Sequence, residues 1–419
     1  MRYLIGFFLI LLVKLMFPID PDEAEHLHFA FLINKGYEPF KDFYQHHLPL
    51  IWELFSISIV SKGFFSNVFY ARIIQAIIIS LTGLFFSKCF KTNQSQIFLL
   101  FCLIFTLLNP FINYGDIRPE LIGSLLFTSS YYFLITDKKL IKFLIPISLI
   151  TGMLFTPRFL PIYLAISYFY FFKTPTSNKY FFVIIQIIIL SIFFSFYKLK
   201  DIAFFVFQST SQLKRSFDNI FGLNETSLIM MIYFISILIV SLINFKKSKI
   251  LSTIYIFLFV FIFLEKHPYY SQSTIFLFLT SLLLVFNLNF FKKFILNTKT
   301  LYLIISVSVI TKIFWISSSR NKIFFEELPF YKNQLQNCKD MKVLFSFHKE
   351  YMNGEMYTHP IFLEDLSYFG FIQNAILSEK HMIDIIKYTN KSIYLYEKSE
   401  SCLTNDAQYK KIKNILNEN

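Results

Sequence analysis

Apolar stretches of helical length recur near residues 3–17, 68–87, 96–109, 119–135, 141–156, 158–172, 180–198, 227–244, 250–264, 270–288 and 300–316. The loops between them alternate in charge. One set carries Lys88/Lys91, Lys138/Lys139/Lys142, Lys173/Lys179, Lys246/Lys247/Lys249 and Lys292/Lys293/Lys299. The other set is 20–49, 109–120, 156–158, 199–226, 265–272 and the C-terminal tail. Few folds satisfy this pattern. Most of the stretches cover ~30 Å of hydrocarbon as helices, and lysine-rich loops on every second turn orient spans threaded back and forth. Only 16% of the 419 residues are charged, too few to cover a soluble protein of this size. The expected fold class is therefore an all-α polytopic membrane protein with about 11–12 transmembrane helices.

The first stretch lacks a small-residue cleavage site and runs at once into Pro18-Ile19-Asp20-Pro21, which predicts a retained span rather than a removed leader. Arg2 at its start places the N-terminus on the cytoplasmic side. The alternation then holds if residues 48–65, interrupted by Glu53 and ended by Ser61-Lys62-Gly63, form a juxtamembrane or re-entrant helix. A full crossing there inverts the sidedness of everything after it. Residues 23–35 read as an amphipathic interfacial helix with Ala24, Leu27 and Phe31 on one face.

The net charge of +13 raises the question of nucleic acid, and its distribution answers it. Residues 320–419 carry thirteen basic and thirteen acidic side chains, so the excess lies in the membrane loops, as orientation signals require. Strand-like segments at 341–347 and 393–396 and helix-like ones near 371–389 and 405–417 predict a small extracytoplasmic α/β domain over 317–419. Of four cysteines none lies at metal-ligand spacing; Cys338 and Cys402 share the tail, either bridged or as free thiols.

Polar residues collect on the lysine-poor side. After the first span come Asp22, Glu23, Glu25, His26 and His28, then His46 and His47. Asp116, Arg118 and Glu120 lie in Asp116-Ile117-Arg118-Pro119-Glu120, Arg158 follows Pro157, and Glu265, Lys266 and His267 precede Pro268-Tyr269. Carboxylates beside a bilayer are costly and mark chemistry or binding. Acids suit the removal of a proton from an acceptor, and cations suit the charge that develops on a phosphoryl leaving group. Each element also has a structural reading: Asp20 or Asp22 as a helix cap, Asp116/Arg118/Glu120 as a local ion-pair network, the paired histidines as solvated, Lys266 as snorkelling, Arg158 as a junction residue.

Asp22-Glu23-Ala24-Glu25-His26, then Gly36-Tyr37-Glu38-Pro39-Phe40-Lys41-Asp42-Phe43, then His46-His47-Leu48-Pro49-Leu50 resembles the first external loop of GT-C membrane glycosyltransferases. The nearest branch contains glycosyltransferase family 39, the protein O-mannosyltransferases and the lipid A aminoarabinose transferase. Phe40 stands where that branch has Tyr, and Leu48 where it has Pro. Ile117-Arg118-Pro119-Glu120 is similar to the Arg-Pro-Asp/Glu motif of its second external loop.

The resemblance covers the membrane part, residues 1–316, with an external loop at 18–49 and juxtamembrane helices to about 65. It implies transfer of a sugar from a polyprenyl-phosphate donor to a lipid, glycan or protein acceptor on the extracytoplasmic face of a bacterial inner membrane. Asp22 matches the catalytic acid and general base, with Glu23 beside it. Asp116 or Glu120 matches a second acidic site that orients the acceptor or, in some relatives, a divalent metal. Arg118, Arg158 and Lys266 become phosphate contacts; His26, His46, His47, His267 and Tyr269 complete the substrate-binding set. No Gly-rich phosphate loop or dinucleotide pattern is present, as a lipid-borne donor allows. A transporter or flippase is the alternative class, disfavoured by nearly charge-free mid-spans; a polysaccharide polymerase or ligase is the other, disfavoured by the modest 199–226 loop.

Overall fold

Proline sets many of the helix boundaries. A computed structural model describes residues 1–16, 21–34, 36, 38–39, 48–60, 64–112, 117–136, 139–173, 175–197, 235–243, 245–246, 248–262 and 274–287. Every regular element among them is a helix: α1 (Arg2–Met16), α2 (Pro21–Asn34), α3 (Leu50–Ser56), α4 (Phe64–Lys88), α5 (Gln94–Ile112), α6 (Pro119–Ile135), α7 (Lys139–Lys142), α8 (Leu144–Phe155), α9 (Leu160–Lys173), α10 (Thr176–Phe196), α11 (Lys249–Ile262) and α12 (Thr274–Phe286). A single 3-10 turn, Pro157–Phe159, precedes α9, and residues 235–243 are also helical. The expected α/β tail, its cysteine pair and the span near 300–316 lie outside the described residues.

Among the described residues, two helices, Asn67–Lys88 and Asn178–Phe196, are long and apolar enough to cross a bilayer. Gln94–Phe105, Leu144–Phe155, Lys249–Phe261 and Ile275–Phe286 are apolar but shorter. Within the stretch read as 48–65, the described residues form seven-residue α3, non-helical backbone at 57–60 and the first residues of α4. At ~1.5 Å per residue α3 is about 10 Å long, too short to cross hydrocarbon.

The chain divides into two compact units. One contains residues 1–15, 73–206 and 212–313; the other contains 16–72, 207–211 and 314–419. Within the first, side-chain contacts fix helix directions. Arg2 Nη1 donates to Ser95 Oγ at 3.4 Å and Tyr3 meets Phe98 at 5.0 Å, so α1 and α5 run parallel. Phe86 packs on Phe101 at 5.1 Å across the α4–α5 hairpin. Phe85 lies 5.6 Å from Phe133, and Lys88 Nζ stands 6.0 Å over the Tyr132 ring, so α4 and α6 end together. At the C-terminal end of α12, Phe286 joins them, 5.6 Å from Phe86. Phe143 and Phe181 pair the starts of α8 and α10 at 4.8 Å.

The two ends of this unit therefore differ in charge. Arg2, Lys88, Lys91, Lys142 and Lys179 fall at one end, and α6 begins, like α8 ends, at the other. Several buried hydroxyls inside the bundle bond back to their own helices, among them Ser124 Oγ to Glu120 O at 2.8 Å and Thr280 Oγ1 to Phe276 O at 2.7 Å. That leaves them little cost in an apolar setting.

Glycine is sparse, ten in 419 residues, which counts against small-residue helix packing as the organising device. Among the described residues, Gly6, Gly83, Gly123 and Gly152 serve instead as slots for rings. A Cβ on Gly123 lies 2.7 Å from Phe276, and one on Gly152 lies 2.6 Å from Phe159. Those two rings meet edge-on at 5.9 Å.

Candidate functional site

The second unit holds the acidic cluster that follows α1. Pro21 opens α2, where its fixed φ and missing N–H are harmless, so Asp22 sits inside the first turn rather than capping it. The side chain of Asp22 lies outside the description. Glu23 is 1% exposed and Arg72, in α4, 4%. Arg72 Nε donates to Glu23 Oε1 at 3.1 Å and Nη2 to Oε2 at 2.6 Å, a two-point guanidinium–carboxylate fork. Both carboxylate oxygens are thus engaged, which suits Glu23 to holding the start of α2 rather than to abstracting a proton. Arg72 carried no signal in the sequence, because it sits within an apolar stretch.

One turn along α2, His26 is buried and accepts a hydrogen bond on Nδ1 from Trp52 Nε1 of α3 at 2.9 Å. A donor aimed at Nδ1 assigns the imidazole proton to Nε2, the tautomer with an N–H to offer. Phe29 packs tilted against Trp52 at 5.2 Å, and Asn34 Nδ2 donates to Ser56 O at 3.4 Å, so α3 clamps α2 along its length. Burial in α2 is not confined to the expected apolar face: Leu27 and Phe31 are buried, and so are Phe29, Ala30, Glu23 and His26.

The first unit holds the other half of the predicted constellation. Arg118 is extended (φ −126°, ψ 146°) because a residue before proline avoids helical backbone, and Pro119 then opens α6. Glu120 falls in the first helical turn, where a carboxylate suits the positive end of the helix dipole. The same proline logic acts at the far end of α8. Thr156, before Pro157, is extended (φ −150°, ψ 125°), and Arg158 follows in the 3-10 turn.

These breaks bring three side chains together. Glu120 Oε1 accepts from Arg158 Nη1 at 2.9 Å and from Thr156 Oγ1 at 3.2 Å. Glu120 is 2% exposed, and among the described residues its Oε2 is buried with no hydrogen-bond partner. A buried carboxylate oxygen without a donor is costly. Arg158, expected as a phosphate contact, is spent in part on Glu120. Thr156 was not singled out in the sequence; a hydroxyl two residues before Arg158, in the 156–158 loop, was the available signal.

Glu23, His26, Glu120 and Arg158 are thus placed, and Arg118 heads α6. Asp116, His46, His47, Lys266, His267 and Tyr269 lie outside the described residues. Among the described residues, no group of three or more His, Cys, Asp or Glu stands close enough to hold a metal. No protein-family model, curated protein or solved structure matches the chain.

Proposed function

We propose that the chain is a polytopic membrane glycosyltransferase that takes a sugar from a polyprenyl-phosphate donor at the extracytoplasmic face. The observation that carries this reading is the Asp22-Glu23 pair at the start of α2, with Glu23 fixed by Arg72. A base must be held still to accept a proton in the transition state, and a buried two-point ion pair one residue away supplies that rigidity. The membrane part of the proposal is supported by the apolar helices running in opposite directions, with lysines gathered at one end and Glu120, Thr156 and Arg158 at the other.

In the proposed reaction, Asp22 takes the proton from the acceptor hydroxyl as that oxygen bonds to the anomeric carbon. The bond from that carbon to the donor phosphate breaks, and polyprenyl phosphate leaves with the electron pair. The resemblance assigns the phosphate to Arg118 and Lys266, and the sugar and acceptor to His46, His47, His267 and Tyr269. Glu120, with one oxygen clamped and the other open, receives an acceptor hydroxyl, and Asp116 assists it. The appendage at 317–419 lies on the same external side.

The test is Asp22→Asn in the full chain, inserted and expressed as wild type. Sugar transfer from a radiolabelled polyprenyl-phosphate sugar to membrane acceptors is expected to vanish. Near-normal turnover rules Asp22 out as the base. Surface glycolipids and glycoproteins of a strain lacking the gene, examined by mass spectrometry, are expected to miss one sugar residue.

A further inference from the structure

We infer that Trp52 is a positioning residue for the proposed transfer: its indole holds His26 as a neutral imidazole, so that no cation forms beside Asp22. The inference rests on the reading of Asp22 as the base, and adds to it a residue that the sequence did not single out.

The contact joins two short helices. Trp52 Nε1 donates to His26 Nδ1 at 2.9 Å, and the two side chains are buried, at 1% and 2% exposure. Phe29, three positions along α2, packs tilted against the same indole at 5.2 Å and holds it in place. An indole N–H is a donor only, so it has no acceptor to offer in exchange. An imidazolium carries hydrogen on both nitrogens. It would set Nδ1–H against Trp52 Nε1–H, with no acceptor between them. Neutral imidazole with its proton on Nε2 is the form this contact fits.

Neighbouring carboxylates pull the other way, towards the cation. Asp22 and Glu23 precede His26 by four and three positions, which puts them on its side of α2. Glu25 and His28 fall on the flank and the back of that helix. From α4 comes Arg72, fixed on Glu23 by two hydrogen bonds, and from α3 comes Glu53, which is exposed. Asp22 is therefore the acid that an imidazolium at position 26 would answer, one turn away. A cation there favours the ionised carboxylate and makes it a weaker base. A general base needs its lone pair for the acceptor proton. Trp52 acts through His26 and touches no reacting atom.

The test follows the imidazole directly, by nitrogen-15 NMR of the solubilised full chain labelled at its eight histidines, with His26 assigned through His26→Gln. In wild type the His26 signals are expected to show hydrogen on Nε2, none on Nδ1, and no change from pH 7.5 to 5.5. Trp52→Phe keeps an aromatic ring and removes the donor. It is expected to let His26 titrate near the ordinary histidine pKa of about 6.5. A wild-type proton on Nδ1 overturns the inference without any variant, and so does the same titration in both proteins.

The second readout is the pH profile of sugar transfer. Wild type is expected to stay level from pH 7.5 to 5.5. Trp52→Phe is expected to fall about tenfold over that range, because about nine-tenths of a free histidine is charged at the lower end. Adding His26→Gln, whose amide takes no proton, is expected to abolish this acid limb at a lower but even rate. A Trp52→Phe protein that loses thermal stability and keeps the wild-type profile makes Trp52 a packing residue and overturns the role. The two failures are separable. His26 locked neutral in a protein without transfer sinks only the transferase, and transfer by a wild type whose His26 titrates sinks only Trp52.

Discussion

Arg72 and Glu23, forty-nine positions apart, share a two-point ion pair in which neither side chain is more than 5% exposed. Removing one partner strands the other charge, so Arg72→Ala is expected to cost about 3–5 kcal/mol. Replacing both, as Arg72→Met with Glu23→Leu, is expected to restore most of that loss, because an apolar pair of similar volume has no charge to desolvate. Thermal unfolding of the solubilised variants decides the matter; an Arg72→Ala protein as stable as wild type contradicts the buried pair.

Arg158 serves Glu120 in this structure, and that role is separable from phosphate binding by a double-mutant cycle. Glu120→Gln and Arg158→Met are expected to be coupled by about 1–3 kcal/mol in stability. Independent effects, summing to the double variant, return Arg158 to a phosphate role alone. Thr156→Val, which removes the hydroxyl donor at 3.2 Å, is expected to cost about 1 kcal/mol in the same measurement.

Gly123 lies one turn after Glu120, and any side chain there meets the Phe276 ring at 2.7 Å. Gly123→Ala is expected to destabilise by about 1–3 kcal/mol through overpacking. Combining it with Phe276→Leu is expected to recover part of the loss. A Gly123→Ala protein with an unchanged melting temperature means that the ring has room to move.

Cys89, half-buried just past the end of α4, donates its thiol to Phe85 O at 3.3 Å, and desolvation pushes that thiol above its ordinary range. The nucleophile is the thiolate, so a raised thiol stays neutral and unreactive near neutral pH and gains reactivity only far into alkali. Maleimide at pH 8 is expected to leave Cys89 unlabelled in native protein and to label it after denaturation, as read by peptide mass spectrometry. Rapid native labelling shows that the α4–α5 turn is open.

Local chemistry was legible and tertiary pairing was not. The start of α6 at Pro119 followed from Arg118-Pro119, and the end of α8 near Thr156 from Pro157, because proline acts on the residue beside it. The break at Phe143, which separates α7 from α8, has no such marker and went unread. Alternating lysines were enough to sort the ends of the first unit. Glu23 looked like a second catalytic acid until Arg72 took both its oxygens, and a lone arginine in an apolar run does not say which acid it will meet. His26 was read as a substrate contact, and Trp52 Nε1 now accounts for its Nδ1.

The brevity of α3 bears on how the chain is made. On the proposed membrane reading, a seven-residue helix gives the insertion machinery nothing to stop on, so α1 and α4 flank one translocated loop that carries Asp22, Glu23 and Trp52 together.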